Sequence, residues 1–91
     1  MKMINKSKEI LLLQTCGACP EQYDAYYNNK VIGYLRLRHG YFRAEHMGEV
    51  VYEAHPKNSD GIFGDEEERK YHLRKARKAI KKEYNKRLLE E

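Results

Sequence analysis

The amino-acid sequence predicts an α+β domain, in which an antiparallel β-meander of four or five strands is covered on one face by a C-terminal α-helix. First, residues 10–55 are rich in Tyr, Val, Ile and Leu that alternate with polar residues, as in half-buried strands. Second, turn residues recur at short intervals within this half, which predicts successive hairpins. Third, the chain from Asp65 onward is a charged run of helix formers with apolar residues at helical spacing.

The domain organisation follows from the length and from this change in pattern. A chain of 91 residues is the length of one small domain. We expect a flexible tail over residues 1–9 and a single domain over residues 10–91. Within the domain the meander is predicted at about 10–55, a connector at about 56–64 and the helix at about 65–89.

Hydropathy argues against a membrane location. The longest purely aliphatic run is Ile10 to Leu13. A membrane-spanning helix needs roughly 18 or more apolar residues, and the apolar core of a signal peptide needs about 7–15. We therefore expect a cytoplasmic protein with no membrane partner.

Three turn signals set the register of the strands. A two-residue turn at His39-Gly40 places Leu37 opposite Phe42 on the face that forms the core. Three-residue turns at Asn28-Asn29-Lys30 and Met47-Gly48-Glu49 keep the other strands in a consistent register. The predicted inner face comprises Tyr23, Ala25, Tyr27, Val31, Leu35, Leu37, Phe42, Ala44, Val50, Tyr52 and Ala54. The predicted outer face comprises Asp24, Tyr26, Tyr34, Arg36, Arg38, Tyr41, Arg43, Glu45, Glu53 and His55.

The helix has a well-specified start and a weak end. Asp65 can cap the first turn, with Glu68 three residues further on, as in a capping box. Acidic Glu90 and Glu91 meet the negative end of the helix dipole and favour fraying. The apolar stripe expected to cover the sheet consists of Leu73, Ala76, Ile80, Tyr84 and Leu88. In the connector, Ile62 and Phe63 are expected to pack back onto the core.

The helix also carries a ridge of like charges, four residues apart along its axis. Each such pair costs about 0.2–0.5 kcal/mol, unless an anion neutralises the positive charge. The chain has 18 Lys and Arg against 14 Asp and Glu, a net charge of +4, which mildly favours an anionic partner. A helix face that is simply solvated and screened by salt is the alternative. This basic ridge consists of Lys70, Arg74, Lys78, Lys82 and Lys86, with Arg77 and Lys81 beside it.

The predicted outer face of the sheet holds a second basic cluster, in which arginines alternate with tyrosines. Guanidinium groups bind phosphates and carboxylates through paired hydrogen bonds, and tyrosine rings can stack on bases. The alternative is a solvated sheet surface in which the arginines form ion pairs with carboxylates on neighbouring strands. This Arg/Tyr cluster consists of Tyr34, Arg36, Arg38, Tyr41 and Arg43.

Cys16-Gly17-Ala18-Cys19 has the spacing of two zinc ligands or of a redox pair. A zinc site needs further ligands, and no two histidines lie at a short ligand-like spacing. Two small residues in a tight turn before Pro20 are the alternative. We expect no cofactor unless zinc is bound at Cys16 and Cys19, and we expect the histidines at surface or cross-strand positions.

No complete catalytic motif is present in the sequence. A phosphate-binding Gly-rich loop, a dinucleotide fingerprint and a well-placed serine nucleophile are all missing. Carboxylates such as Glu45 and Glu53 lie among arginines, an arrangement that favours ion pairs over acid catalysis. We therefore expect no catalytic residues and a protein that is not an enzyme.

Two segments resemble a group of small proteins of bacteriophages and prophages. The first is Cys19-Pro20-Glu21-Gln22-Tyr23-Asp24, and the second is Gly33-Tyr34-Leu35-Arg36-Leu37-Arg38-His39-Gly40-Tyr41-Phe42. The resemblance covers a quarter to a third of the chain and does not extend to the basic helix. It implies a protein that acts by binding host enzymes, defence systems, nucleic acids or nucleotides in the bacterial cytoplasm.

The sequence therefore predicts a non-enzymatic binding protein that engages an anionic partner. The candidate partners are nucleic acid, a nucleotide, and the acidic surface of a host nucleic-acid or defence enzyme. A small core and open sheet edges also favour a homodimer. The alternative function is a small zinc-binding or thiol-redox protein that uses Cys16 and Cys19.

Overall fold

The fold is described from a computed structural model that covers residues 9–18, 20–57 and 60–90. Five strands precede one helix along the described chain: β1 Leu11–Gly17, β2 Glu21–Tyr27, β3 Lys30–Arg38, β4 Tyr41–His46, β5 Glu49–Ala54 and α1 Glu66–Leu89. The strands form an antiparallel sheet in the order β1-β2-β3-β4-β5. The predicted α+β meander with a C-terminal helix is confirmed, with five strands. Residues 1–8 of the predicted tail lie outside the described residues.

The hairpin between β3 and β4 has the predicted register. Leu37 lies opposite Phe42 and Arg36 lies opposite Arg43. His39 and Gly40 have φ angles of 54° and 73°, as a type I′ turn requires of its two central residues. A two-residue turn of this type fixes the pairing of the strands on either side.

The other two turns differ from the prediction of three residues. Asn28-Asn29 and Met47-Gly48 are two-residue turns whose φ angles are all positive, and each is followed by a β-bulge. The bulge adds the one residue that the shorter turn lacks. Beyond the bulges the register is therefore the predicted one, with Ala25 opposite Gly33 and Ala44 opposite Tyr52.

Between each of these turns and its bulge, the side chains lie on the opposite face of the sheet from the one predicted. Val31 and Val50 were expected on the inner face, but they are 54% and 48% exposed. Val31 lies opposite Tyr26, and Val50 lies opposite Glu45. The next residues along the chain, Ile32 and Val51, pack against the core instead. The expectation for Val31 and Val50 is therefore wrong.

The core lies between the inner face of the sheet and α1. It contains Ile10, Tyr23, Ala25, Leu35, Leu37, Phe42, Ala44, Phe63, Ala76 and Ile80. The helix approaches the sheet closely at Gly33, where an added Cβ atom would lie 3.0 Å from Ile80 Cδ1 and 2.7 Å from the Glu45 carbonyl oxygen. The predicted stripe is buried at Ala76 and Ile80 but not at its end, because Leu88 is exposed.

The connector and the start of the helix follow the sequence in most respects. Phe63 is buried as expected, whereas Ile62 is exposed. Asp65 caps the helix, since its Oδ1 accepts a hydrogen bond of 2.8 Å from the Glu68 backbone N–H. The Glu68 carboxylate in turn accepts a hydrogen bond of 3.0 Å from the Gly64 N–H, which completes a capping arrangement.

A buried ion pair joins the sheet, the connector and the helix. Glu21 at the start of β2 is fully buried, and its carboxylate lies 2.8 Å and 3.2 Å from Nε and Nη2 of Arg69. The Tyr23 hydroxyl and the Phe63 backbone N–H also donate to it. Burial raises the pKa of Glu21, but these hydrogen bonds outweigh burial and hold the pKa below its usual value. The carboxylate therefore stays ionised inside the protein.

Helix α1 carries too many charges to cross a membrane, and no other helix in the described ranges has the length and apolar character to do so.

Candidate functional site

The outer face of the sheet is left open by the described part of the chain, because α1 packs on the opposite face. The Arg/Tyr cluster lies at the centre of this open face, on β3 and β4. Alternation along each strand brings its members to one side, and the register sets Arg36 beside Arg43 and Arg38 beside Tyr41. The structure therefore brings together the five residues that the sequence grouped.

Hydrogen bonds to neighbouring strands hold both tyrosines of the cluster. The Tyr34 hydroxyl donates to Gln22 Oε1 on β2 at 2.9 Å, and the Tyr41 hydroxyl donates to Glu53 Oε1 on β5 at 2.7 Å. The bond to Glu53 raises the pKa of Tyr41. Each hydroxyl is thus held against a neighbouring strand.

The arginines of the cluster differ in their ion pairs. Arg43 Nε lies 2.5 Å from Glu45 Oε2. Across the described ranges, by contrast, no carboxylate lies within ion-pair distance of Arg36 or Arg38. Arg43 and Glu45 both lie on β4, so among the described residues none of the three arginines forms the cross-strand ion pair that the alternative expected. The guanidinium groups of Arg36 and Arg38 can form hydrogen bonds to an external anion.

Exposed aliphatic side chains share this face with the cluster, a feature that the sequence analysis missed. Leu11 and Leu13 on β1 are 60% and 56% exposed, and they lie opposite Tyr26 and Asp24 of the outer face. Together with Val31 and Val50 they form what we call the apolar band. In a strand, consecutive side chains point to opposite faces, so a run of three leucines must place at least one on the outer face. The run Leu11-Leu12-Leu13 could therefore have predicted part of the apolar band.

The basic ridge lies on the other side of the molecule. Its five residues are exposed, and no carboxylate in the described residues forms an ion pair with any of them. Since α1 covers the inner face of the sheet, the sheet separates the ridge from the Arg/Tyr cluster. A small ligand cannot contact both surfaces at once, whereas the positive charge of the ridge can attract a large acidic partner at long range.

The predicted metal or redox site is described only in part. Cys16 lies at the end of β1, with its thiol 3.6 Å from the Ala18 carbonyl oxygen, and Cys19 lies outside the described residues. Within residues 9–18, 20–57 and 60–90, no three His, Cys, Asp or Glu side chains are arranged to hold a metal ion. Zinc binding at Cys16 and Cys19 stays a prediction, which metal analysis of the purified protein would test.

Two histidines make contacts within the fold. His46 is buried on β4, and its ring nitrogen Nδ1 donates to the Ile32 carbonyl oxygen at 2.7 Å. His72 on α1 stacks on Phe63 with the ring centroids 5.7 Å apart, and its Nδ1 lies 2.8 Å from the Tyr52 hydroxyl. His46 therefore has the expected cross-strand position, and His72 is half-buried between α1 and the sheet.

Comparison with known proteins gives no family for the chain. No family model matches it, and neither a curated protein nor a solved structure matches it.

Proposed function

We propose that this protein is a non-enzymatic binding protein whose open sheet face docks onto an acidic surface of a partner protein. The proposal depends on one observation: Arg36 and Arg38 have no carboxylate partner among the described residues, and they lie on the same face as the apolar band. Such guanidinium groups bind carboxylates through paired hydrogen bonds. The neighbouring aliphatic side chains add apolar contact area beside those bonds.

The composition of the face favours a protein over a nucleic acid. Interfaces with nucleic acids are strongly positive, whereas interfaces between proteins are enriched in Tyr, Arg and apolar side chains. On the outer face three arginines are balanced by three carboxylates: Arg36, Arg38 and Arg43 against Asp24, Glu45 and Glu53. A partner with both apolar and acidic groups matches this mixture better than a phosphate backbone does.

The basic ridge has a supporting role in this proposal. Exposed charges accelerate encounter with an acidic partner, but salt screens them and they add little to the final affinity. The resemblance to phage and prophage proteins suggests a host enzyme of nucleic-acid metabolism or defence as the partner, inside the bacterial cytoplasm. Nucleic acid and free nucleotide are the competing partners, and the experiment below distinguishes them.

Affinity capture from bacterial lysate with matched arginine variants tests the proposal. One variant carries Arg36→Ala and Arg38→Ala on the sheet, and the control carries Arg74→Ala and Arg77→Ala on the helix. At physiological salt we expect the natural protein to capture a partner protein that is retained after nuclease treatment. The sheet variant should lose this partner, and the helix control should still capture it. Truncating an arginine that is a hot spot of an interface costs about 2 kcal/mol or more.

Two results would contradict the proposal. If the captured material disappears on nuclease treatment, the partner is nucleic acid. If the sheet variant, shown by circular dichroism to be folded, captures the partner as well as the natural protein does, then the outer face is not the interface.

A further inference from the structure

A cleft of about 350 Å³ lies between the segment that leads into β1 and one side of α1. It belongs neither to the Arg/Tyr cluster nor to the apolar band, and it falls within the range of small-ligand sites, about 300–1,000 Å³. The core residue Ile10 lies at the cleft, so that its wall is part of the folded interior. The lining residues are Glu9, Ile10, Arg74, Arg77, Lys78 and Lys81.

The four cations of the cleft share one side of the helix because their spacing is i, i+3, i+4 and i+7. Aromatic rings contact the first and the last of them. The Arg74 guanidinium lies 5.6 Å from the centroid of the Tyr71 ring, and Lys81 Nζ lies 5.9 Å from that of Tyr27. Cation–π contacts of this kind restrict both side chains, and the N–H groups of Arg74 stay able to donate.

The charge of the cleft is not balanced by its own lining. Among the described residues that line it, four carry a positive charge and one, Glu9, carries a carboxylate. Arg74, Arg77 and Lys78 form no ion pair with any carboxylate in the described part of the chain. Like charges at this spacing repel each other, and an anion bound between them would relieve the repulsion. The stabilisation is largest when several negative charges lie close together in one ligand.

The shape of the cleft distinguishes between kinds of anion. Proteins that bind single-stranded nucleic acid use an open groove that follows the backbone over several nucleotides. The cations that line this cleft lie within about two turns of α1, and Glu9 and Ile10 line its other side. Two guanidinium groups and two ammonium groups within two helical turns suit a compact group with several phosphate oxygens.

We propose that this cleft is a binding site for a compact polyphosphate group, of the kind found in pyrophosphate and in nucleoside di- and triphosphates. Arg74 and Arg77 hold phosphate oxygens through paired N–H donors, and Lys78 and Lys81 neutralise the remaining charge. The site is separate from the sheet face and does not depend on the function proposed above.

Calorimetric titration of the full chain with pyrophosphate tests the site. Replacing both arginines, Arg74→Ala with Arg77→Ala, should weaken binding by about tenfold or more, since hydrogen bonds between charged groups contribute strongly. The matched control, Lys70→Ala with Lys86→Ala, removes the same charge from the same helix outside the cleft and should change affinity by less than about threefold. Arg77→Lys keeps the charge without the planar donor pair and should give an intermediate affinity.

Further ligands and variants identify the source of the phosphates. A nucleoside triphosphate that binds more tightly than pyrophosphate supports a nucleotide ligand. A 5′-triphosphorylated oligonucleotide that binds far more tightly than the free nucleotide supports a nucleic-acid end as the source. The sheet variant Arg36→Ala with Arg38→Ala should bind pyrophosphate normally, so that failure of the sheet proposal and failure of the cleft proposal are separable. Equal weakening by the arginine variant and the lysine control, or no binding of pyrophosphate at low salt, would overturn the site.

Discussion

At the scale of single residues, the buried carboxylate of Glu21 joins the sheet to the helix through Arg69. Arg69→Ala removes the cation that pairs with it, and it leaves a buried charge without compensation. We expect the free energy of unfolding to fall by about 3 kcal/mol, measured by urea denaturation. The control Arg77→Ala removes a half-buried arginine that has no ion pair in the described chain, and should cost less than about 1 kcal/mol. Equal losses in the two variants would contradict this role for Glu21.

The same ion pair sets the response to acid. The pKa of Glu21 is held below its ordinary value of 4.5, so the folded state binds fewer protons there than the unfolded state does. Its contribution to stability is therefore present above pH 4.5, and it is lost as the pH falls through the lowered pKa. The urea midpoint should drop more steeply below pH 4.5 in the natural protein than in Arg69→Ala. Parallel curves for the two proteins would contradict this assignment.

His72 predicts a second pH dependence nearer to neutrality. Burial lowers the pKa of His72 from 6.5, and the nearby Glu68 carboxylate only partly offsets this shift. The rings of Phe63, Tyr52 and Tyr71 also surround it, and none of them supplies a negative charge near neutral pH. The neutral form is therefore favoured in the folded state, and stability should decrease as the pH falls through 6.5.

Matched histidine variants measure this effect. His72→Phe should abolish the decrease in the urea midpoint between pH 7 and pH 5.5, because the substituted side chain does not titrate. His39→Asn changes an exposed turn histidine and should leave the decrease intact, since asparagine tolerates the positive φ angle there. If His39→Asn abolishes the pH dependence and His72→Phe does not, His72 is not its source.

At the scale of elements, the helix cap is the clearest test of a local sequence signal. Asp65→Ala removes the side-chain acceptor for the Glu68 N–H and should lower stability by about 1 kcal/mol in urea denaturation. Glu67→Ala removes an exposed acidic residue from the same first turn, and should cost no more than about 0.5 kcal/mol through the helix dipole alone. A larger loss for Glu67→Ala than for Asp65→Ala would show that the cap is not formed.

How far the sequence predicted each element depended on local geometry. The His39-Gly40 turn allows one pairing, so the register of β3 and β4 and the grouping of the Arg/Tyr cluster were predictable. A three-residue turn and a two-residue turn followed by a bulge give the same pairing further along the strands. The sequence pattern could not separate them, and Val31 and Val50 were therefore assigned to the wrong face.

Long-range pairs were harder to predict than the elements that carry them. Glu21 lies two residues before Tyr23 and so on the same face of β2, but the sequence analysis did not assign it, and nothing local indicated a cation 48 positions away. The cleft was hard to predict for the same reason. The spacing of its cations predicts that they share one side of the helix, but only the tertiary packing brings Ile10 beside them. Periodicity predicts which face a residue occupies, and it does not predict which element meets that face.

At the scale of the whole molecule, the free edge of the sheet at β1 predicts self-association. In the described sheet β1 is an outer strand, and its sequence from Leu11 to Gly17 carries no charge to prevent pairing with another chain. Antiparallel pairing of two β1 strands would join the sheets of two copies. It would also place two Arg/Tyr clusters on one continuous face, and so allow a partner to be held at two points.

Sedimentation at micromolar concentration tests this dimer. We expect a dimer for the natural protein and a monomer for Leu13→Lys, because a lysine on an edge strand opposes pairing with a second copy. Val50→Lys places the same charge on the same face at the opposite edge, on β5, and should remain dimeric. A natural protein that sediments only as a monomer would exclude pairing through β1, and a Leu13→Lys variant that stays dimeric would place the contact elsewhere. Since each copy carries a net charge of +4, the dimer should also strengthen as salt screens the repulsion between copies.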